Sequence, residues 1–205
     1  KVSPYRITKD GGVAIITIVG ELVNRGAWLE SYSGLISYEN IAYRVTTAAN
    51  DQRVKSILLD MQSPGGEAVG CFETAAAIRK AREKKSVYCL VNGMACSGAY
   101  ALASAATKRY IIPSGWAGHV GVYRMHLDIS KALYDQGIRP TFIFAGAHKL
   151  DGNPTEPLPK DVEVRWQAEV DGIYDLFVAC VAAGTGLSEA KIRATEALWY
   201  MGQEA

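Results

Sequence analysis

Residues 13–19 are apolar except for Thr17, with glycine on either side. A short apolar run closed by turn formers reads as a buried strand. Beyond it, Tyr38, Ile41, Ala42, Val45 and Ala49 recur at the spacing of one helix face. Residues 54–61 predict a second strand ending at Ser63-Pro64-Gly65-Gly66, and Cys71, Ala75 and Ile78 mark a second helix. A third strand follows over 86–92, a helix over 97–107, a strand over 109–112 closed by Pro113, and a later strand over 138–145. Two glycines and three prolines make 146–160 an ordered functional loop rather than a regular element. Val162, Trp166, Val170, Ile173, Phe177 and Cys180 trace a long amphipathic helix that Gly184 and Gly186 end, and Ser188 caps a last one. Strands alternating with helices predict crossover units on a largely parallel sheet. Neither repeat nor linker interrupts the pattern, so residues 1–205 read as one α/β domain.

A chain of 205 residues can bury one core. Its net charge of +1 leaves no electrostatic footprint for nucleic acid. The one basic cluster, Arg79, Lys80, Arg82, Lys84 and Lys85, falls at a helix end, where cations suit the dipole and stay solvated. No stretch reaches the roughly 18 apolar residues that span a bilayer, and no signal peptide is present. Because the first residue is Lys1 and not Met, a removed leader or anchor remains an open expectation. Cys71, Cys89, Cys96 and Cys180 lie in apolar or small-residue stretches without metal-ligand spacing, as buried thiols in a reducing compartment would. No metal site is expected.

The chemistry gathers at three places. Ser97, in Asn92-Gly93-Met94-Ala95-Cys96-Ser97-Gly98-Ala99-Tyr100, falls where an apolar strand turns into an alanine-rich helix, which presents one hydroxyl at a strand-to-helix turn. A serine hydroxyl is a weak nucleophile at neutral pH and needs a base within hydrogen-bond reach. Lys149, in a stretch of small and apolar residues, can be that base if burial and a nearby positive helix end keep its amine neutral. A tetrahedral oxyanion needs two fixed donors. The Gly98 N–H is one candidate, and the Gly65-Gly66 turn supplies the other, with Gly66 preferred. The combination predicts a serine hydrolase. Cys96 beside Ser97 is a weaker nucleophile candidate, because consecutive residues point different ways.

The Ser63-Pro64-Gly65-Gly66 loop, the Cys96-Ser97-Gly98 turn and Gly146-Ala147-His148-Lys149 together resemble the signal peptide peptidase A family, peptidase family S49. The stretch from Gly146 through Leu150-Asp151-Gly152-Asn153-Pro154 is similar to its phage branch, the capsid-assembly proteases of lambda-type phages. The resemblance runs from about residue 12 to the end. It implies a ClpP/crotonase-like fold of repeated β-β-α units, a Ser97/Lys149 dyad, an oxyanion hole at Gly65, Gly66 and Gly98, and no metal or organic cofactor. It further implies extended peptide or protein substrates, bound as an added strand beside the glycine loop, and homo-oligomers in which neighbouring protomers complete each active site. Phage head assembly, with scaffold or capsid proteins as substrates, is the expected setting, in the bacterial cytoplasm or the phage prohead. Membrane association is expected only if an anchor has been removed. Two departures stand out. His119 occupies a position where relatives carry a serine thought to bond the lysine, and three roles stay open for it: partner of Lys149, base in its own right, or structural histidine. The segment 200–205 resembles the start of a longer one, so truncation at one or both ends is expected.

Three other readings compete. A bacterial signal-peptide-degrading peptidase shares every motif. Crotonase-like acyl-CoA chemistry shares the fold but leaves Ser97 and Lys149 unexplained, with Glu67 the only acid near the glycine loop. A non-catalytic assembly module would have little reason to keep both dyad residues.

Overall fold

Alternating burial builds the central sheet: Ala14, Ile16 and Ile18 of one strand, and Ile57, Leu59 and Met61 of its neighbour, are each 0–1% exposed. In the computed structural model, residues 4–9, 12–26 and 34–205 are described. They form two compact units, Lys1–Gly121 with Asp175–Ala205, and Val122–Tyr174.

In the first unit the chain runs β1 (Arg6–Ile7), β2 (Val13–Val19), β3 (Glu21–Val23), β4 (Leu35–Ser37), α1 (Tyr38–Asn50), β5 (Ser56–Ser63), α2 (Cys71–Arg82), β6 (Ser86–Cys96), α3 (Gly98–Ser104), β7 (Lys108–Ile111) and β8 (Trp116–Gly118). In the second lies α4 (Ser130–Asp135), and α5 (Lys160–Thr185) runs from the second unit into the first. α6 (Glu189–Arg193), β9 (Trp199–Met201) and a final 3-10 turn close the chain. The main sheet has the order β1-β2-β5-β6-β8-β9, with β7 also paired to β6. Its interior pairings, β2·β5, β5·β6, β6·β7 and β6·β8, are parallel, and the edge pairs β1·β2 and β8·β9 are antiparallel. β3 and β4 form a separate parallel pair. This mixed α/β architecture with a largely parallel sheet is consistent with the ClpP-like expectation.

Local chemistry explains the boundaries. Ser37 caps α1, its hydroxyl accepting the Asn40 N–H at 3.2 Å. Ser188 does the same for α6 through the Lys191 N–H. α5 stops at Thr185 because Gly186 adopts φ +77°, a left-handed C-terminal cap. Gly184 lies inside that helix for a different reason. A Cβ there would sit 2.5 Å from the Ser104 carbonyl, so the glycine lets α5 lie against the end of α3.

Two expectations fail. The apolar run over 138–145 forms no strand. Pro140 removes a ladder donor, and no described segment pairs with the run, so Ile143 is 99% exposed. The basic cluster is also not simply a solvated helix end. The Arg82 guanidinium donates to the Ala105, Ala106 and Gly184 carbonyls at 3.2–3.4 Å, collecting the unpaired carbonyls where α3 and α5 finish. The Lys85 ammonium donates to the Ala48 carbonyl at the end of α1.

Leu59→Ala should lower unfolding free energy by about 2–5 kcal/mol in urea titrations, as truncation of a fully buried side chain does. Val19→Ala, at a half-exposed position, should stay within about 0.5 kcal/mol of the parent. Equal effects would mean that the sheet face has been misassigned.

Candidate active site

Ser97 occupies a strained elbow. β6 ends at Cys96, α3 begins at Gly98, and the residue between takes φ 53° and ψ −129°, a conformation that non-glycine residues avoid. Such strain costs about 1–3 kcal/mol and persists only where surrounding bonds enforce it. Here the Ser97 N–H donates to the Gly118 carbonyl at 2.9 Å, while the Ser97 carbonyl accepts from the Tyr100 and Ala101 N–H groups. A strand-elbow-helix of this kind exposes a nucleophile at the end of a sheet. Ser97 is half-buried, and within its own unit its hydroxyl makes no hydrogen bond.

The glycine loop lies against that elbow. β5 and β6 pair in parallel with Met61 opposite Val91, then shift so that Ser63 faces Ala95. The shifted register, carried two residues further, sets Gly65 opposite Ser97. A Cβ on Gly65 would lie 2.7 Å from the Ser97 Cβ and 2.8 Å from the Cys96 carbonyl, and φ is +106°, so only glycine fits. Gly66 is pressed against β3, where a Cβ would come within 1.9 Å of the Leu22 carbonyl. The loop pairs there as a strand: the Leu22 N–H donates to Gly65 and the Glu67 N–H to Leu22, both at 2.8 Å. The buried Ser63 hydroxyl accepts the Gly65 N–H. The N–H groups of Gly66 and Gly98 bond to no described residue. Of the three expected donors, Gly66 and Gly98 keep uncommitted N–H groups near Ser97, whereas Gly65 does not, because its N–H is bound to Ser63. The Glu67 carboxylate accepts the Asn24 N–H at 2.6 Å, which accounts for that acid structurally.

Lys149 belongs to the second unit. Its N–H closes a turn onto the Gly146 carbonyl at 3.0 Å, and the described residues of its own unit leave its side chain exposed. Polar contacts fix the surrounding loop. Asp151 pairs with Arg165 and with His148 Nδ1, and the His126 ring donates to the Asn153 carbonyl at 3.0 Å. Gly152 packs against Trp166, which also meets the Arg124 guanidinium, 3.6 Å from the ring centroid, and the edge of the His126 ring. His148 is thus a hydrogen-bond partner of Asp151 beside Lys149.

His119 is exposed, takes φ 58°, and is bound into the C-terminal segment. Its Nδ1 donates to the Ala197 carbonyl at 2.7 Å, which leaves Nε2 as the acceptor nitrogen of the neutral ring, and the ring packs on Trp199. All four cysteines are buried and free. Burial pushes the Cys71 and Cys89 thiols up to about 12 and raises Cys96 as well, so each stays protonated and poorly nucleophilic near neutrality. Among the described residues no group of three or more His, Cys, Asp or Glu could hold a metal ion, and no helix is long and apolar enough to cross a membrane. Sequence reasoning passes over Tyr38, which it reads as helix core only. Its contacts with residues about 30 and 60 positions away leave no trace in local pattern.

A family model for peptidase family S49 matches residues 79–205. The chain is 42% identical over 194 residues to the capsid assembly protease C of Escherichia phage lambda, covering 95% of this chain and 44% of that protein. It is 37% identical over 199 residues to the head-tail preconnector protein of Enterobacteria phage P21, covering 97% and 39%. Protease 4 of Haemophilus influenzae is 25% identical over 201 residues, covering 94% and 31%. The chain spans less than half the length of these relatives.

Gly65→Ala should reduce turnover by at least about 100-fold with the circular dichroism unchanged, since displacement of one oxyanion donor costs 100- to 1000-fold. Parent-like turnover would separate this loop from the chemistry. Iodoacetamide at pH 8 should leave activity intact, because the raised thiol pKa values hold Cys71, Cys89 and Cys96 in the protonated form. Inactivation in step with Cys96 modification would move the nucleophile to the thiol.

Proposed function

The chain belongs to peptidase family S49, and we propose that it is a serine endopeptidase with a Ser97/Lys149 dyad that processes scaffold or capsid-associated proteins during phage head assembly. The observation that carries the reading is the strained Ser97 elbow, with the glycine loop packed against it and the Gly66 and Gly98 N–H groups uncommitted. Ser97 Oγ attacks the scissile carbonyl, Lys149 takes the hydroxyl proton and delivers it to the leaving amine, and the two N–H groups stabilise the oxyanion. Water then hydrolyses the acyl-enzyme with Lys149 again as base. The glycine loop, already paired on one side with Leu22, suits an extended peptide that adds as a strand.

The head-assembly setting is supported by the relatives, one of which is called a capsid assembly protease and another a head-tail preconnector protein. The proposed location is the bacterial cytoplasm or the phage prohead. A homo-oligomer belongs to the same proposal. A lysine acts as a base only as the neutral amine, which desolvation favours, and the exposed Lys149 calls for a covering surface. Tyr123, Met125 and Ile143 in the same unit, 88%, 74% and 99% exposed, are apolar residues that a second copy would bury. In this reading His119 is structural, because its ring is committed to Ala197 and Trp199.

Hydrolysis of an unfolded protein is followed from pH 6 to 10 in the parent, Ser97→Ala, Lys149→Ala and His119→Ala, with fluorophosphonate labelling of Ser97 alongside. The serine and lysine variants should lose at least about 1000-fold, while His119→Ala keeps activity within about tenfold. Activity retained by Lys149→Ala and lost in His119→Ala would replace the dyad with a Ser/His pair. A parent that neither cleaves nor labels would be an assembly module.

A further inference from the structure

The two oxyanion donors lie on segments joined only through tertiary structure: Gly66 follows β5, and Gly98 opens α3. Their separation must be set to a few tenths of an ångström, because the donors act only at about 2.7–3.1 Å from the developing charge. One side chain touches both segments. Tyr38, the first residue of α1, is 1% exposed, and its hydroxyl donates at 2.8 Å to the carbonyl of Glu67, the residue after Gly66. The same oxygen lies against Gly98, where a Cβ would come within 2.6 Å of it. A Cβ at Gly98 would also lie 3.9 Å from the Gly66 nitrogen, so the two segments meet at the Tyr38 hydroxyl.

We propose that Tyr38 is a positioning residue that sets the spacing of the Gly66 and Gly98 donors, and so governs stabilisation of the tetrahedral intermediate without touching substrate. Glu67 is held from two directions: its N–H is bound by the Leu22 carbonyl of β3, and its own carbonyl by Tyr38. On the Gly98 side, the Cys71 thiol donates to the Gly98 carbonyl at 3.5 Å from the start of α2. Burial keeps the Tyr38 phenol protonated, so the hydroxyl remains a donor to Glu67 across the working pH range. Ser37 and Thr74 fix the phenol in turn, one by capping α1 and the other by donating its hydroxyl to the Tyr38 carbonyl at 3.3 Å. Without the oxygen, the Glu67 carbonyl is unpaired and a gap opens beside Gly98, so the loop can shift relative to the elbow. The inference rests on Ser97 as nucleophile and on these two donors.

The test is Tyr38→Phe, which keeps the ring and removes only the hydroxyl. Three quantities are read: kcat and KM on a peptide substrate, and the inhibition constant of a peptide boronate of matching sequence, whose tetrahedral adduct places an oxygen in the donor site. The expected result is a fall in kcat of about tenfold to 100-fold, a part of the loss that follows removal of a donor. KM should stay within about twofold, and the boronate should weaken by the same factor as kcat/KM. The inhibition constant reports only folded, competent molecules, so partial misfolding cannot mimic this. Tyr5→Phe is the control, since it deletes a tyrosine hydroxyl bound to Asp51, at the opposite end of α1 from Tyr38, and it should leave kcat and boronate affinity at parent values. Parent-like kcat and boronate affinity in Tyr38→Phe, with Ser97→Ala inert, would overturn the inference alone. Equal weakening of boronate in Tyr5→Phe would overturn it too, by showing a generic effect of losing a tyrosine hydroxyl. Activity surviving in Ser97→Ala would remove the functional reading and this inference with it.

Discussion

The close approach of the Gly65 loop to the Ser97 elbow is the constraint on which the rest of the first unit turns. Backbone meets backbone there with no room for a methyl group on Gly65. The parallel pairing of β5 with β6 brings the segments to the same end of the sheet, as parallel sheets do with the loops that follow their strands. A regular ladder would nevertheless misalign them. The register slips between Met61 and Ser63, and β6 absorbs the extra residues around Gly93, whose φ of +132° would strain any other residue. That irregularity re-aims the strand end.

Strain at the elbow is opposed by dense packing around it. α3 is built largely of small residues: Ala99, Ala101 and Ala103 are buried, as is Leu102. Their size lets the helix sit close to the sheet, and the contact of Gly184 with Ser104 closes it from the other side. An unfavourable conformation at Ser97 of about 1–3 kcal/mol is small beside the burial of Leu102, Ile78, Leu59 and Ile57 in the core of the same unit. Arg82 adds to the same arrangement by binding carbonyls at the ends of α3 and α5, a task that a hydrated surface cation could not perform.

Where local pattern decided the outcome, the sequence was readable. β2, α1 and α5 follow their apolar periodicities because each has one face on the core. The pattern ends β6 at Asn92, yet the strand continues to Cys96, because pairing with β8 extends it past the polar Asn92 and the flexible Gly93. The run over 138–145 fails for the opposite reason: its composition suits a strand, but pairing needs a partner that no periodicity can report. The meeting of Ser97 with Gly65, Gly66 and Gly98 was legible because the chemistry expected there needs a hydroxyl and bare backbone, and those requirements leave glycine and serine at turns. Tyr38 was not, since a tyrosine at a helix start looks like core whether or not its oxygen meets a distant glycine.

Under the proposed assignment, nucleophile and base are held by different physics. The elbow and its donors are tied to fully buried groups, including Tyr38, Cys71 and Ser63, whose displacement would expose apolar surface or orphan a buried hydrogen bond. The Lys149 loop is tied by His148, Asp151 and Arg165, whose side chains are 68%, 18% and 39% exposed. Ion pairs at such positions contribute about 0–1 kcal/mol each. Gly152 on Trp166 supplies the main packing contact of the loop, and Trp166 is itself only half-buried. The geometry of attack is therefore insensitive to its surroundings, whereas that of proton transfer responds to whatever covers the loop. A peptidase built this way has its oxyanion hole set by the core and its base set by a surface.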